Sequence, residues 1–298
     1  LIMSLQSLPK PVIGPRAQKL ALCFTGGVAA LILIIVSAVY TASEYELQRH
    51  YDVNLVSLRP ATVIGSMAEG QRLIHAFGCN GCHRANGGTV ADIPNVARIV
   101  APNLTRVVHD YSDDEFVRVV RAGVKRDGTS ALVMPSREYA NISDDDLATM
   151  MNYLRHTPIL ADKQPVDTEI RFMGRVAIAA GKVPFSAKLA PPHLAPLHRP
   201  VATPEAEGEH LVKAICSHCH EVTAEHDDGW GTIAPPLALM GQAYAPADFR
   251  KLLRTGKALG DRDLGLMSKI ARDDLTHMTD TEIDAIHAYL NSVEMPDE

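Results

Sequence analysis

FGCNGCHRANGG (residues 77–88) and, far downstream, AICSHCHEV (residues 214–222) carry the same five-residue pattern. In each stretch two cysteines stand three positions apart, and a histidine follows the second cysteine directly. The 298-residue chain has 5 cysteines, and all but one of them belong to these two stretches. Such repeated use of a scarce residue indicates two copies of one chemical site.

The sequence around the two stretches is duplicated as well, because other landmarks recur in the same order. The matching pairs are AEGQRLIHAFGC (68–79) with AEGEHLVKAIC (206–216), APNL (101–104) with APPL (234–237), FVRVVRAG (116–123) with FRKLLRTG (249–256), and ISDDDLATMMNYL (142–154) with MTDTEIDAIHAYL (278–290). Composition alone does not produce such an order. We therefore predict a first unit at residues 66–158 and a second unit at 203–298.

Each unit is predicted to be mostly helical. Ser143 and Thr279 are typical helix N-caps, and Asp146 and Glu282, three residues later, complete two predicted capping boxes. Apolar residues recur at helical spacing after them, and no stretch shows the convincing alternation of a β-strand. We expect an all-α fold of two tandem domains.

An uncharged segment of 21 residues, 20–40, precedes the first unit. A helix of this length would span roughly 30 Å, the thickness of the hydrocarbon core of a bilayer. Basic residues precede it and acidic residues follow it, so residues 1–19 are predicted to be cytoplasmic and the two units to lie outside. We expect an uncleaved transmembrane anchor; a cleaved signal peptide with residues 36–38 as its site is the alternative.

Two linkers complete the predicted organisation. Residues 41–65 lead from the anchor to the first unit. Residues 159–202 join the units and contain a Pro-rich stretch that is expected to be extended and semi-rigid. Within it, residues 170–182 are predicted to form a short helix packed on one of the domains.

The distribution of charge bears on partners. A net charge of −6 argues against a nucleic-acid-binding protein, which needs a basic face to neutralise phosphates. Residues 203–298 contain 18 acidic and 8 basic side chains, whereas residues 66–160 contain 11 and 10. We expect the acidic second unit to dock on a basic partner.

Cys-x-x-Cys-His is the attachment signature of c-type haem. Two cysteines three positions apart lie on one side of a helical turn, where their sulfurs can form thioethers with the two haem vinyl groups. The next residue, His83 or His220, is thereby brought under the iron. We predict two covalently bound haem c groups, attached at Cys79, Cys82, Cys216 and Cys219.

Three other interpretations of the two Cys-x-x-Cys-His motifs leave part of the pattern unexplained. A thioredoxin-like redox pair requires an α/β pattern that the chain lacks. A zinc site built from two Cys-x-x-Cys pairs does not require both trailing histidines, and a pair of disulfides leaves those histidines unexplained.

A purely electron-carrying haem needs a sixth iron ligand, and methionine thioether is the soft choice. Met134 lies in a predicted loop 51 residues after the first motif histidine. Met267 lies 47 residues after the second motif histidine, in the corresponding stretch. For the second unit, His277, Met278 and an open iron site remain alternatives.

Both units resemble the small, all-helical class I cytochrome c domains. The whole chain resembles a membrane-anchored dihaem c-type cytochrome of a bacterial respiratory chain, located in the inner membrane with its haem domains in the periplasm. The resemblance covers both units, roughly 190 of the 298 residues, and the anchor. It implies that the first and last helices of each unit cross, at Gly70 and Tyr153 in the first and at Gly208 and Tyr289 in the second.

The resemblance also implies a proline carbonyl that accepts a hydrogen bond from each iron-binding histidine. Pro102 takes this role in the first unit, and Pro235 or its neighbour Pro236 in the second. Tyr111, Tyr139 and Trp230 are candidates to contact a haem or its propionates, with simple core packing as the alternative.

Two haem irons with both axial positions filled do not readily bind a substrate. The expected function is therefore one-electron transfer between respiratory complexes, not catalysis, with no small-molecule substrate. By resemblance the partners are a quinol–cytochrome c reductase, a periplasmic dehydrogenase or a terminal oxidase. One alternative is a dedicated cytochrome c subunit of a larger dehydrogenase or oxidase complex. Another is a haem enzyme, such as a dihaem peroxidase or a thiosulfate-oxidising cytochrome.

Overall fold

The structure, a computed structural model, is predominantly helical. It describes residues 14–55, 65–84, 87–159, 166–191, 193–200, 202–227 and 233–296. The α-helices are α1 Pro15–Leu47, α2 Met67–Ala76, α3 Cys79–His83, α4 Leu104–Asp110, α5 Asp113–Ala122, α6 Ser136–Tyr139, α7 Asp144–His156, α8 Phe172–Ala179, α9 Ser186–Leu189, α10 Pro204–Ile215, α11 Leu237–Ala243, α12 Pro246–Thr255, α13 Leu266–Asp273 and α14 Asp280–Ser292. Short 3₁₀ turns lie at Cys216–His218, Leu259–Asp261 and Leu275–His277. The predicted all-α class is confirmed.

Short strands, which the sequence pattern did not predict, are also present. They are β1 Asn54–Leu55, β2 Gly88–Ile93, β3 Ala97–Ala101, β4 Glu169–Ile170, β5 His193–Leu194, β6 His226–Asp227 and β7 Ile233–Ala234. β2 and β3 form an antiparallel hairpin with an irregular register, and β4 adds to its free edge. The hairpin turns at Asn95, whose φ of 62° lies in the left-handed region that asparagine tolerates. Its strands escaped prediction because their buried positions do not alternate regularly.

The first and last helices cross closely in both units, as the resemblance implies. A Cβ at Gly70 in α2 would lie 2.6 Å from the carbonyl oxygen of Thr149 in α7 and would also meet Cβ of Tyr153. A Cβ at Gly208 in α10 would collide with the carbonyl oxygen of Ala285 in α14 and would lie 2.7 Å from Cβ of Tyr289. The missing side chain is what lets each pair of backbones approach.

One of the two predicted capping boxes forms completely. At the start of α14 the hydroxyl of Thr279 accepts from the backbone N–H of Glu282, and the Glu282 carboxylate accepts from the backbone N–H of Thr279. At the start of α7 Ser143 caps in the same way, but the structure shows no return bond from Asp146. The carboxylate of Asp146 instead lies 3.6 Å from a guanidinium nitrogen of Arg199, so an ion pair replaces the second half of the box.

α1 is the one helix among the described residues that is long and apolar enough to cross a membrane. It continues to Leu47, so the start of the predicted 41–65 linker is helical. Beyond the apolar segment it packs on α8. The guanidinium of Arg175 lies 2.9 Å from a carboxylate oxygen of Glu44, 3.0 Å from the hydroxyl of Ser43 and 4.7 Å from the ring centre of Tyr40.

The inter-unit segment is partly helical. The short helix predicted within residues 170–182 is confirmed as α8, and its Gly174 packs directly against the backbone of Val96 in the first unit. Within the Pro-rich stretch after α9, strand β5 pairs in parallel with β1. α8 therefore connects the long N-terminal helix to the first unit.

Candidate haem sites

The first Cys-x-x-Cys-His motif begins where α2 ends. Gly78 has a φ of 72°, the left-handed conformation typical of a residue that follows a helix, and α3 starts immediately after it. The hydroxyl of Tyr139 donates to the carbonyl oxygen of Phe77 at 2.8 Å and fixes the approach to this turn. Cys79, Cys82 and His83 therefore share one short helix, as thioether attachment requires.

The motif histidine of the first unit is oriented by a backbone carbonyl. Nδ1 of His83 lies 2.8 Å from the carbonyl oxygen of Pro102, which can only accept, so Nδ1 carries the hydrogen. Burial lowers the pKa of His83, and the bond to Pro102 opposes that change. The ring is thus held neutral with its other nitrogen free to bind iron, and the hydrogen bond adds to its donor strength.

The second unit has the same bond between histidine and a proline carbonyl, but its motif has a different backbone conformation. α10 ends at Ile215, and Cys216 begins a 3₁₀ turn in place of the short α-helix of the first unit. Nδ1 of His220 lies 3.0 Å from the carbonyl oxygen of Pro235. The adjacent Pro236 instead precedes α11 as its N-cap residue. Burial lowers the pKa of His220, and the Pro235 bond opposes it, as in the first unit.

The four motif cysteines are free thiols in the structure. Burial raises the pKa of both Cys79 and Cys216 to about 12, so these thiols stay protonated at neutral pH. Across the described ranges, no group of three or more His, Cys, Asp or Glu side chains is placed to hold a metal ion directly. Neither the disulfide nor the zinc interpretation finds support in this arrangement.

In each unit one half-buried methionine packs against the same core as the first motif cysteine. Met134 packs against the core of the first unit, as Cys79 does, in the loop before α6. Met267 packs against the core of the second unit, as Cys216 does, near the start of α13. A c-type haem needs an attachment cysteine, an oriented histidine and a thioether ligand. Each unit supplies all three of these groups.

The alternative sixth ligands of the second unit are engaged elsewhere. Met278 is only 2% exposed and belongs to the core. The ring of His277 stacks on the ring of His75 from the first unit, with centroids 4.4 Å apart.

Of the three aromatic candidates, Tyr139 contacts the attachment segment. The hydroxyl of Tyr111 accepts from the backbone N–H of Arg126 at 3.3 Å, and Trp230 lies outside the described residues.

Comparison with known proteins agrees with this donor set. The cytochrome c family model matches the chain twice, over residues 67–158 and 205–294. The chain belongs to the cytochrome c family. Two cytochrome c domains carry two covalently bound haem c groups, so the predicted family and cofactor are confirmed.

Several curated relatives are similar over most of this cytochrome. The gluconate 2-dehydrogenase cytochrome c subunit of Pantoea cypripedii is 27% identical over 261 residues, 75% of this chain and 58% of the relative. The cytochrome c subunit of the quinone-dependent alcohol dehydrogenase of Gluconobacter oxydans (strain 621H) is 23% identical, covering 75% and 54%. The fructose dehydrogenase cytochrome subunit of Gluconobacter japonicus is 24% identical, covering 76% and 52%. The chain spans about half the length of these relatives.

The contacts between the two sites were not predicted from the sequence. Asp274 of the second unit lies at the first motif, and Tyr139 of the first unit meets the ring of His218 of the second motif, with centroids 5.0 Å apart. Asp274 and Glu138 occupy equivalent positions, four residues before the Met278 and Ile142 landmarks. This shared acidic position was the sequence feature that could have indicated a contact between the units.

Proposed function

We propose that this cytochrome is the electron-transfer subunit of a membrane-bound dehydrogenase complex. The observation that carries the proposal is the similarity, over about three quarters of the chain, to cytochrome subunits of three different dehydrogenases. The sequence by itself favours a free carrier between respiratory complexes, with a dedicated subunit as the alternative. The relatives support the alternative better.

The two haem irons supply one-electron couples, and the protein holds them. His83 and His220 would bind iron through Nε2 while Pro102 and Pro235 fix the ring orientation. Met134 and Met267 would supply the second protein ligand of each iron and so leave no site for a substrate.

The remainder of the chain would place these sites. α1 would cross the bacterial inner membrane and hold both units on the periplasmic side, which raises their effective concentration near a membrane-bound dehydrogenase. The acidic second unit would speed its association with a basic surface, an effect on the association rate that salt weakens.

Purification in mild detergent tests the proposal. We expect a dehydrogenase subunit to remain with the chain in fixed stoichiometry at high salt, and its substrate to reduce both haems within the isolated complex. A chain with Cys216 and Cys219 both changed to alanine is the matched control, since it should keep the partner but show one reduced haem. A single monodisperse chain that accepts electrons from several unrelated complexes would instead identify a free carrier.

Carbon monoxide tests the haem-enzyme alternative. With both irons closed by methionine, the reduced native protein should not bind it. Binding at one haem would point to an open iron and to enzymatic chemistry.

A further inference from the structure

The interface between the two units is reciprocal. The duplication pairs Ala76 at the end of α2 with Ala214 at the end of α10. Ala214 is fully buried in the core of the first unit, and Ala76 in the core of the second. Each unit thus inserts the same position into its neighbour, as subunits do across a two-fold axis.

The same exchange brings the two haem motifs to the interface. Gly81 and His218 hold the same place, directly before the second motif cysteine. A Cβ at Gly81 would lie 3.8 Å from a carboxylate oxygen of Asp274 in the second unit. His218 in turn packs edge-on against Tyr139 in the first unit, with ring centroids 5.0 Å apart, and the neighbouring Glu138 is close enough to interact with it electrostatically. Each unit therefore presents a carboxylate to the haem motif of the other.

The two carboxylates differ in their own partners. Glu138 is neutralised by Arg137, whose Nε lies 2.6 Å from its carboxylate. Asp274 is 5% exposed and has no ion-pair partner within 4 Å in the described part of the chain. Its carboxylate reaches the first motif, because one of its oxygens would lie 3.8 Å from a Cβ at Gly81, the residue before Cys82. The carboxylate at the first motif thus has no ion-pair partner among the described residues, whereas the carboxylate at the second motif is paired with Arg137.

We propose that Asp274 of the second unit lowers the reduction potential of the haem attached at the first motif and so directs electrons from the first unit to the second. Ferric haem carries one more positive charge than ferrous haem, so a nearby carboxylate stabilises the oxidised form. One electron would pass from the haem that His83 would hold, which is oxidised, to the haem that His220 would hold, which is reduced, with no proton or other reactant. The inference rests on the proposed electron-transfer role and adds its direction.

Redox titration of the purified full-length chain tests the proposal, at about pH 8, well above the ordinary pKa of a carboxyl group. We expect Asp274→Asn to raise the potential of the first haem and to change the equilibrium constant for electron exchange between the haems about tenfold, which is 59 mV for a one-electron couple. Repeating the substitution in the chain that lacks Cys216 and Cys219 assigns the shift to the first haem. No dehydrogenase takes part in this titration. A negative result would therefore contradict the role of Asp274 without contradicting the subunit assignment. Conversely, failure to find a dehydrogenase partner would not change the measured potentials.

Two variants separate charge from structure. Glu138→Gln, at the equivalent position, should move either potential much less, since Arg137 already neutralises that carboxylate. Asp274→Glu keeps the charge and should leave the first potential near its original value. An unchanged first potential in Asp274→Asn, equal shifts in Asp274→Asn and Asp274→Glu, or a first haem of higher potential than the second in the native chain would overturn the proposal.

Discussion

Arg72 of the first unit and Glu282 of the second form a two-point ion pair, with Nη1 to Oε2 at 2.8 Å and Nη2 to Oε1 at 3.0 Å. Arg199 of the inter-unit segment approaches the same carboxylate at 2.8 Å. Glu282 is 4% exposed, so its charge depends on these two guanidinium groups for compensation. One carboxylate thereby joins both units and the segment between them.

We expect Glu282→Ala to destabilise the protein by about 2 kcal/mol, because it removes the carboxylate shared by two half-buried arginines. The loss is limited because Arg72 keeps Glu69 and Arg199 keeps Glu207 as partners. Urea denaturation followed by circular dichroism measures the free energy of unfolding. Glu209→Ala is the control, since Glu209 pairs with Lys213 on an exposed helix surface and such pairs contribute little. Equal decreases in the free energy of unfolding would show that the ion pair between the units contributes no more than an exposed one.

The same pair makes stability depend on pH. Burial raises the pKa of Glu282, but hydrogen bonds from Arg72 and Arg199 outweigh it and hold the pKa below the ordinary value of 4.5. A carboxyl group with a lowered folded-state pKa stabilises the protein above its unfolded pKa and loses that contribution as the pH falls through the folded value. Native protein should therefore lose stability below about pH 4.5 more steeply than Glu282→Gln does. Parallel pH profiles for the two proteins would contradict this.

The duplication places one ion pair at equivalent positions in the two units. Arg121 and Asp144 in the first unit correspond to Arg254 and Asp280 in the second, and each pair joins its nitrogen and oxygen at 2.7 Å. The first pair is buried, with side chains 3% and 1% exposed, whereas Asp280 is 64% exposed. We expect Asp144→Ala to lower the free energy of unfolding by about 3–5 kcal/mol, because it removes the charge partner of a buried arginine. Asp280→Ala should lower it far less. The measurement is again urea unfolding, and similar losses would refute the dependence on burial.

The sequence predicted the parts of the fold that depend on local pattern. Motif spacing and the repeated landmarks were enough for two helical units, and the capping residues located α7 and α14. The crossing at Gly208 came from the family resemblance. In each case the signal lies within one segment or repeats at a fixed offset.

Contacts between the units could not be predicted in this way. Asp274 reaches the first motif, and Ala76 the second core, only because the units pack reciprocally. Nothing in either repeat alone determines that packing. The capping box at Ser143 failed for a similar reason, since a distant residue, Arg199, engages the carboxylate of Asp146.

Gly208→Ala tests the close helix crossing in the second unit. Alanine normally stabilises a helix interior relative to glycine by about 1 kcal/mol. Here the added methyl group would collide with the backbone of Ala285, so we expect a loss of about 1–3 kcal/mol instead. Gly26→Ala in α1, which has no neighbour within 4 Å, should leave unfolding of the haem domains unchanged. A stabilised Gly208→Ala variant would mean that the helices do not cross there.

Substitutions can separate the methionines proposed to bind iron from those that only pack in a core. We expect Met134→Ala to keep its thioether-bound haem but to lower the potential of one centre and to open that iron to carbon monoxide, because a soft thioether raises the potential and blocks the sixth position. Met150→Ala, which empties a fully buried core position, should cost about 2–5 kcal/mol of stability while leaving both irons closed. In the second unit Met267→Ala and Met278→Ala form the equivalent pair. Redox titration and carbon monoxide difference spectra measure both effects. If Met278→Ala rather than Met267→Ala opens the second iron, the second haem takes its sixth ligand from the helix start and not from α13.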